Sequence, residues 1–288
     1  MTILRSLLFV PGNKPSMLAK ALGLKPDAYV PDMEDSVPVA EKANARATIV
    51  AHLPALAASG VPVIPRVNAL ETEWIEDDLS AVVGPHVYAV SVGKVRTAAD
   101  VSAVSQHIGA LETRLGVRLG SVKLVPWIET AEAIVNCDAI CRASERVVAV
   151  AFGGEDFTND MGVERLEDES QVSYARQRIC VSARAAHVLA LDTPYFKLRD
   201  PGGLASNALA AKSIGFKGKF AIHPEQIAAI NECFSPSAEE IAHAERVVAA
   251  FAEAEARGRG STSLDGWVID VPVVKRARAL LELARRTR

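Results

Sequence analysis

Val122-Lys123-Leu124-Val125-Pro126-Trp127-Ile128-Glu129-Thr130 and, further on, Val147-Val148-Ala149-Val150-Ala151-Phe152-Gly153-Gly154-Glu155-Asp156 are the two stretches that decide the fold. Each is a short, continuous apolar run that ends abruptly in acidic residues, and between them lies Thr130–Ala143, a segment of helical, Ala-bearing character. Continuous rather than alternating hydrophobicity is what a strand buried on both faces requires. A helix between two such strands makes a parallel crossover. The unit reads as β-α-β, with carboxylates at the C-terminal end of both strands.

The same unit recurs in both directions along the 288 residues. Apolar runs fall at Leu7–Val10, Ala28–Pro31, Val61–Val67, Val87–Val92, Val122–Ile128, Val147–Phe152, Ala190–Phe196 and Lys219–Ile222. Helical stretches follow at Lys14–Leu24, Glu41–Leu53, Ala98–Leu115, Thr130–Ala143, Ser173–His187, Leu204–Ile214 and Glu225–Glu232. This pattern predicts an α/β fold, a (β/α)8 TIM barrel, and the length is one such a barrel commonly occupies. A doubly wound open sheet is the rival, but it calls for a Gly-rich phosphate turn, and neither GxGxxG nor GxxxxGK[ST] occurs. Residues 1–234 are assigned to the catalytic barrel. Residues 235–288 exceed what eight units need and form a C-terminal helical extension and lid: a long helix that Ser235 or Ser237 could cap, the loop Arg257-Gly258-Arg259-Gly260-Ser261-Thr262-Ser263, and a short element at Val268–Pro272 before the last helix.

Composition narrows the function. Hydrophobic residues make up 49% of the chain and aromatic residues 5%, which suits a Val/Ile/Leu/Ala interior. The net charge of −3 and the lack of a clustered Lys/Arg excess argue against nucleic acid as a partner. The early run Leu7–Val10 is cut by Pro11 and Gly12, too soon for a signal peptide or a membrane span, so a cytoplasmic location away from membranes is expected. Cys137, Cys141, Cys180 and Cys233 show no CxxC pair and read as reduced, mostly buried packing residues.

In such barrels the active-site residues project from the C-terminal ends of the strands. Here those ends read Pro31-Asp32-Met33-Glu34-Asp35-Ser36, Pro65-Arg66-Val67-Asn68, Gly93-Lys94, Ile128-Glu129-Thr130, Gly153-Gly154-Glu155-Asp156 and His223-Pro224. So many carboxylates around one mouth repel one another and call for a cation. Oxygen donors without a His/Cys cluster favour a hard ion, Mg²⁺ or Mn²⁺, with Glu129 and Asp156 as the metal pair. Read singly, each acid could instead cap the helix after it.

In this order the motifs resemble the citrate lyase β-subunit-like branch of the HpcH/HpaI aldolase superfamily, whose members include malyl-CoA and citramalyl-CoA lyases. The resemblance runs through Arg5–Asn13, Asp32–Val37 with Lys42 and Arg46, Arg66-Val67-Asn68, Ile128–Ala131, Phe152–Phe157, Tyr174-Ala175-Arg176, Gly215–Lys219 and Ile222–Ile227. It implies a Mg²⁺-dependent carbon–carbon lyase acting on a CoA thioester, with a small 2-oxo acid and an acyl-CoA as reaction partners. Glu129 and Asp156 would bind the metal, and Arg66 would hold the substrate carboxylate by paired hydrogen bonds. Glu34 and Asp35 would lie beside the metal as proton-handling groups, with Asp32 a weaker candidate. Gly154 and Glu155 would line the substrate. Phe9 and Lys14 match positions used around the CoA moiety, although core packing and a solvated helix start suit them equally.

The resemblance extends to Ile269-Asp270-Val271-Pro272, where an aspartate of the lid serves as acid/base, often from a neighbouring subunit. A homo-oligomer, trimer or hexamer, is therefore expected; without the resemblance Asp270 reads as a surface turn. The chain departs from the family's Leu-Pro-Lys-Val-Glu at Val92-Gly93-Lys94-Val95-Arg96 and carries Lys197 where relatives often have an acid. Both changes add positive charge near the mouth. Other readings stay open: a citrate lyase β subunit acting on a citryl-acyl carrier protein, a malyl-CoA thioesterase or malate synthase-like enzyme, an aldolase forming a Schiff base on Lys94, and a non-catalytic homologue.

Overall fold

The strands close into a barrel because every neighbour they meet is parallel and both faces are covered. The computed structural model describes residues 2–166 and 168–287. The first half runs β1 (Ser6–Pro11), α1 (Pro15–Ala21), β2 (Ala28–Asp32), α2 (Lys42–Ala58), β3 (Arg66–Val67), α3 (Ile75–Val82), β4 (Ala89–Val92) and α4 (Ala98–Leu115). The second half runs β5 (Lys123–Ile128), α5 (Ala131–Val135), α6 (Cys137–Arg142), β6 (Ala149–Phe152), α7 (Gly154–Asp160), α8 (Ser173–Ala185), β7 (Leu189–Asp192), α9 (Pro201–Ile214), β8 (Gly218–Ala221) and α10 (Gln226–Phe234). The sheet is closed in the order β1 through β8, and β8 pairs back onto β1 with Leu7 opposite Phe220. This is the expected (β/α)8 architecture. All residues of β2, β4, β6, β7 and β8 are buried, which explains the unbroken apolar runs.

The barrel interior is filled by unequal side chains. Ala28, Ala89, Ala149 and Ala151 leave room for Trp127 and Phe220, and Phe9 joins that pair with ring centroids 5.1 Å from Phe220 and 5.8 Å from Trp127. Large against small fills a tapering barrel without voids.

The elements differ from the sequence expectation in several places, α3 and α7 being helices outside the expected stretches. β3 is two residues long rather than Val61–Val67, because Pro62 and Pro65 have no N–H to give the ladder; the partners meet it through their own N–H groups, Tyr29 donating to Pro62 O and Ser91 to Pro65 O. The helix expected at Thr130–Ala143 breaks at Asn136, whose side chain donates to Arg96 O. α2 continues through Pro54 to Ala58, since Leu53 and Leu56 keep its buried face going past the one missing hydrogen bond. β7 stops at Asp192 rather than at Phe196, which is exposed.

By contact, the chain divides into two compact units, Thr2–Ile230 and the segment from Asn231 onward. In the second, α11 (Ala238–Ala256) is capped by Ser237, which forms a capping box with Glu240. The antiparallel hairpin β9 (Thr262–Leu264) and β10 (Trp267–Ile269) follows, then α12 (Val271–Thr287). Ala244, Val247, Phe251, Ile269, Val274 and Ala277 make its core. Among the described residues no cysteine forms a disulfide; Cys137, Cys141 and Cys180 are buried and Cys233 half-buried. Among the described residues no helix is long and apolar enough to cross a membrane.

Candidate active site

The turn after β2 is built by its first acid. Asp32, fully buried, accepts from the backbone N–H of Glu34 at 3.0 Å and of Ser36 at 3.2 Å, bending the chain back over the strand end. Lys42 of α2 secures the turn from below, its Nζ donating at 2.8 Å to the carbonyls of both Met33 and Glu34. Glu34 and Asp35 are thereby presented at the mouth.

Arg66 arrives from β3 and engages all three acids. Its Nε and Nη2 lie 2.7 Å from the two oxygens of Asp32, and its Nη1 is 2.9 Å from Glu34 Oε2 and 3.5 Å from Asp35 Oδ2. The guanidinium sits 4.7 Å above the Phe9 ring. The fork expected for a substrate carboxylate is therefore closed on Asp32 of the same chain. The strand end itself is fixed by Asp78 of α3, which accepts from the N–H of Asn68 at 3.0 Å and from its side chain at 2.6 Å while pairing with Arg46 at 2.9 Å.

Lys94, after β4, donates from its backbone to Glu129 Oε1 and from its ammonium to Glu34 Oε1, with Asp35 Oδ1 3.4 Å away. A Schiff-base lysine must be neutral to attack. Burial would lower this one, but the carboxylates of Glu34 and Asp35 more than reverse that and hold it above the ordinary lysine range.

Glu129 closes β5 and is buried; Asp156 stands one strand away, in the first turn of α7. Burial, and then the charge of Asp156, push Glu129 up to about 8. Burial and then Asp35 push Asp156 up as well. Asp32 behaves in the opposite way, because the Arg66 fork outweighs its burial and holds it below the usual carboxylate range. Within the neighbouring pair, burial leaves Glu34 raised, while at Asp35 burial is outweighed by hydrogen bonding to Glu34 and the charges of Arg66 and Lys94, which leave it lowered.

Beyond burial, Glu129 is thus raised by Asp156 and Asp156 by Asp35, an excess of like charge that is the electrostatic condition a divalent cation relieves. Gly153 is part of that cradle, since a Cβ there would overlap the Glu129 carboxylate. Among the described residues no three His, Cys, Asp or Glu side chains converge as a metal cage. The donor set fits a hard cation held by two carboxylates, with its other positions left to substrate and water.

The other expected residues fall as follows. Gly154 is buried, its N–H donating to Thr193 Oγ1 at 3.2 Å, and Glu155 is exposed and paired with Arg165 at 2.8 Å. Phe9 lies in the aromatic floor beneath Arg66, and Lys14 is exposed at the start of α1. Asp270 belongs to the second unit and caps α12, accepting from Val273 N–H at 3.2 Å. A cavity of about 780 Å³ between α8 and α9 touches this constellation only at Glu155. Sequence reasoning missed the structural part played by Asp32; the Asp-x-Glu-x-Ser spacing of an Asx-type turn is the signal that could have found it.

A closed parallel barrel with carboxylates at the ends of β2, β5 and β6, and Arg66 and Lys94 at the ends of β3 and β4, defines an enzyme barrel whose chemistry sits at the C-terminal mouth. The chain belongs to the HpcH/HpaI aldolase/citrate lyase family, whose model matches residues 5–224. It is 35% identical over 280 residues to citrate lyase subunit beta of Leuconostoc mesenteroides subsp. cremoris, covering 97% of this chain and 93% of that one. It is 33% identical over 290 residues to mitochondrial citramalyl-CoA lyase of Rattus norvegicus, covering 97% and 86%. Among solved structures, protein CitE from Mycobacterium tuberculosis in complex with magnesium, acetoacetate and coenzyme A superposes with a TM-score of 0.80 at 28% identity, covering 98% of each chain.

Proposed function

We propose that this protein is a Mg²⁺-dependent carbon–carbon lyase that cleaves, or in reverse forms, a 3-hydroxyacyl thioester such as malyl-CoA or citramalyl-CoA, giving a 2-oxo acid and an acyl-CoA. The observation that carries this reading is the buried Glu129 at the end of β5, packed against the bare backbone of Gly153, with Asp156 three residues further on in the first turn of α7. The named relatives, a citramalyl-CoA lyase and a CitE complex holding magnesium and coenzyme A, support the same chemistry.

Glu129 and Asp156 would hold the metal, which when bound supplies Lewis acidity at the substrate's hydroxyl and carboxylate oxygens. Arg66, anchored on Asp32, sets a fixed positive charge at the edge of the site that faces the substrate. Gly154 and Glu155, in the turn that carries Asp156, line the substrate, and Phe9 and Lys14 lie toward the CoA end. Cleavage releases the hydroxyl proton as the carbonyl forms. Glu34 takes it, since it is held at the mouth by Arg66 and Lys94 and burial leaves it a stronger base than Asp35. The electron pair of the broken C–C bond passes into the thioester enolate, and Asp270, delivered from a neighbouring subunit of a homo-oligomer (trimer or hexamer), returns a proton to carbon. The cytoplasm is the compartment where this reaction is proposed to run.

A second reading follows from the 35% identity to a citrate lyase subunit beta: cleavage of a citryl thioester on an acyl carrier protein. Incubating malyl-, citramalyl- and citryl-thioesters with Mg²⁺ or EDTA, with products identified by mass spectrometry, separates the two. Metal-dependent release of a 2-oxo acid and an acyl-CoA is expected. Release of the intact hydroxy acid and free CoA would make the enzyme a malyl-CoA thioesterase or malate synthase-like catalyst, and no turnover of any thioester would defeat the lyase reading.

A further inference from the structure

We propose that Lys94 is a positioning residue that aims two carboxylates at once, its backbone N–H setting Glu129 and its ammonium setting Glu34, from a left-handed backbone adopted for that purpose. The assignment rests on the lyase reading above for its consequence in catalysis, but its geometry stands apart from it.

Lys94 has φ of +56°, a region that side chains other than Gly, Asn and Asp seldom enter. Such a conformation persists only where its surroundings over-determine it, and its usual place is a functional site. The peptide shared with Gly93 puts the amide of Lys94 on Glu129 Oε1, and with that peptide held the left-handed φ carries the side chain onto Glu34 Oε1. With an extended backbone here the side chain would leave Glu34, or the 93–94 peptide would have to turn away from Glu129 to bring it back.

Gly93 shows why both contacts are needed. A Cβ on Gly93 would sit 3.1 Å from Glu129 Oε1 and 3.5 Å from Glu34 Oε1, so the two carboxylates converge over one stretch of bare backbone. Like charges so placed swing apart unless each is tied down. Glu34 is tied at both oxygens, Oε1 by Lys94 and Oε2 by Arg66 at 2.9 Å. Glu129 takes its hydrogen bond from the Lys94 backbone. One residue therefore fixes the spacing between the proton acceptor and a metal ligand. Its amine is shared between Glu34 and Asp35 and acts through those carboxylates.

Three substitutions separate the two arms. Lys94→Gly removes the ammonium but accepts the left-handed backbone. Lys94→Val removes both, since a β-branched residue resists positive φ, and Lys94→Ala is the milder form should the valine variant fold poorly. Lys94→Arg restores a cation. In crystal structures without metal, the glycine variant is expected to show Glu34 displaced and Glu129 in place, and the valine or alanine variant to show both displaced. By calorimetry, Mg²⁺ binding to the glycine variant should stay near wild type, while the valine variant binds about tenfold more weakly, the scale of the backbone penalty. In turnover, the glycine variant should lose about a hundredfold in kcat with little change in KM, the pattern of a misplaced catalytic group, and the arginine variant should recover part of it.

An unmoved Glu34 with undiminished kcat in Lys94→Gly, or equal Mg²⁺ affinity in the glycine and valine variants, would overturn the proposal. A wild-type protein that neither binds Mg²⁺ nor cleaves a thioester would instead overturn the lyase reading, and the carboxylate positions in the variant structures would still decide the role of Lys94.

Discussion

Arg66 closes a two-point fork on Asp32, with Nε and Nη2 each 2.7 Å from a different carboxylate oxygen. An arginine at the mouth of an active site is usually thought of as waiting for its substrate; this one is already committed, and through Asp32 it braces the turn that presents Glu34 and Asp35. The charge it sets at the barrel mouth is fixed in place by a partner inside the same barrel. Burial would weaken the guanidinium's hold on its proton, but Asp32 and Glu34 more than compensate and keep it charged.

Arg66→Lys should therefore lose about a hundredfold in kcat/KM although the charge is kept, because an ammonium cannot span both oxygens of Asp32. Asp32→Asn should cause a similar loss, and the double variant little more than either alone, as expected for two halves of one device. Additive losses in the double variant would show that Arg66 acts separately from Asp32.

Glu129→Ala and Asp156→Ala should each abolish metal-dependent turnover and Mg²⁺ binding while the barrel stays folded. Gly153→Ala should act in the same direction, since its methyl group takes space now filled by the Glu129 carboxylate. Calorimetry is the check: unchanged Mg²⁺ affinity in the first two variants would remove them from the metal site.

At the opposite end of the barrel, Glu112 and Arg146 form a buried pair, with contacts of 2.6 and 3.0 Å. Burial raises Glu112, but Arg146 and the backbone N–H groups of Val122 and Gly120 outweigh it and bring the carboxyl to about 2. A folded pKa below the unfolded one contributes stability that is fully present above about pH 4.5 and is lost as pH falls toward the folded value. Glu112→Gln should cost about 3 kcal/mol at pH 7 by stranding the Arg146 charge. Denaturant unfolding followed by circular dichroism should show the gap between wild type and variant narrowing from pH 5 to pH 3; parallel profiles would deny the pair this role.

If Asp270 serves a neighbour's barrel, inactive Asp270→Asn mixed with inactive Glu129→Ala should regain partial activity once subunits exchange. Asp270→Asn alone should keep Mg²⁺ binding and lose C–C bond chemistry. Verified exchange without recovery would show that Asp270 acts in its own subunit, or that it is only the helix cap it also is.

What could be read from the chain alone was whatever depends on neighbours in sequence. The eight buried runs and their helices specify a closed parallel barrel because burial on both faces leaves no polar alternation. α4 runs over Ala98–Leu115 as expected, since Thr97 with Asp100 makes its capping box and Gly116 its left-handed end, all local chemistry. The acids at the strand ends were legible for the same reason. α3 was not among the expected helices: Ile75–Val82 opens with Glu76, Asp77 and Asp78, three acids that hide its apolar face, and its worth comes from Asp78 reaching Arg46 and Asn68. Only tertiary structure decided which acids are paired and which stand unrelieved. Asp32 and Arg66 are 34 residues apart and Lys94 and Glu34 are 60. Whether a carboxylate is held below its usual pKa, like Asp32, or pushed up to about 8, like Glu129, depends on the cation and the solvent that folding places beside it, and sequence spacing carries neither.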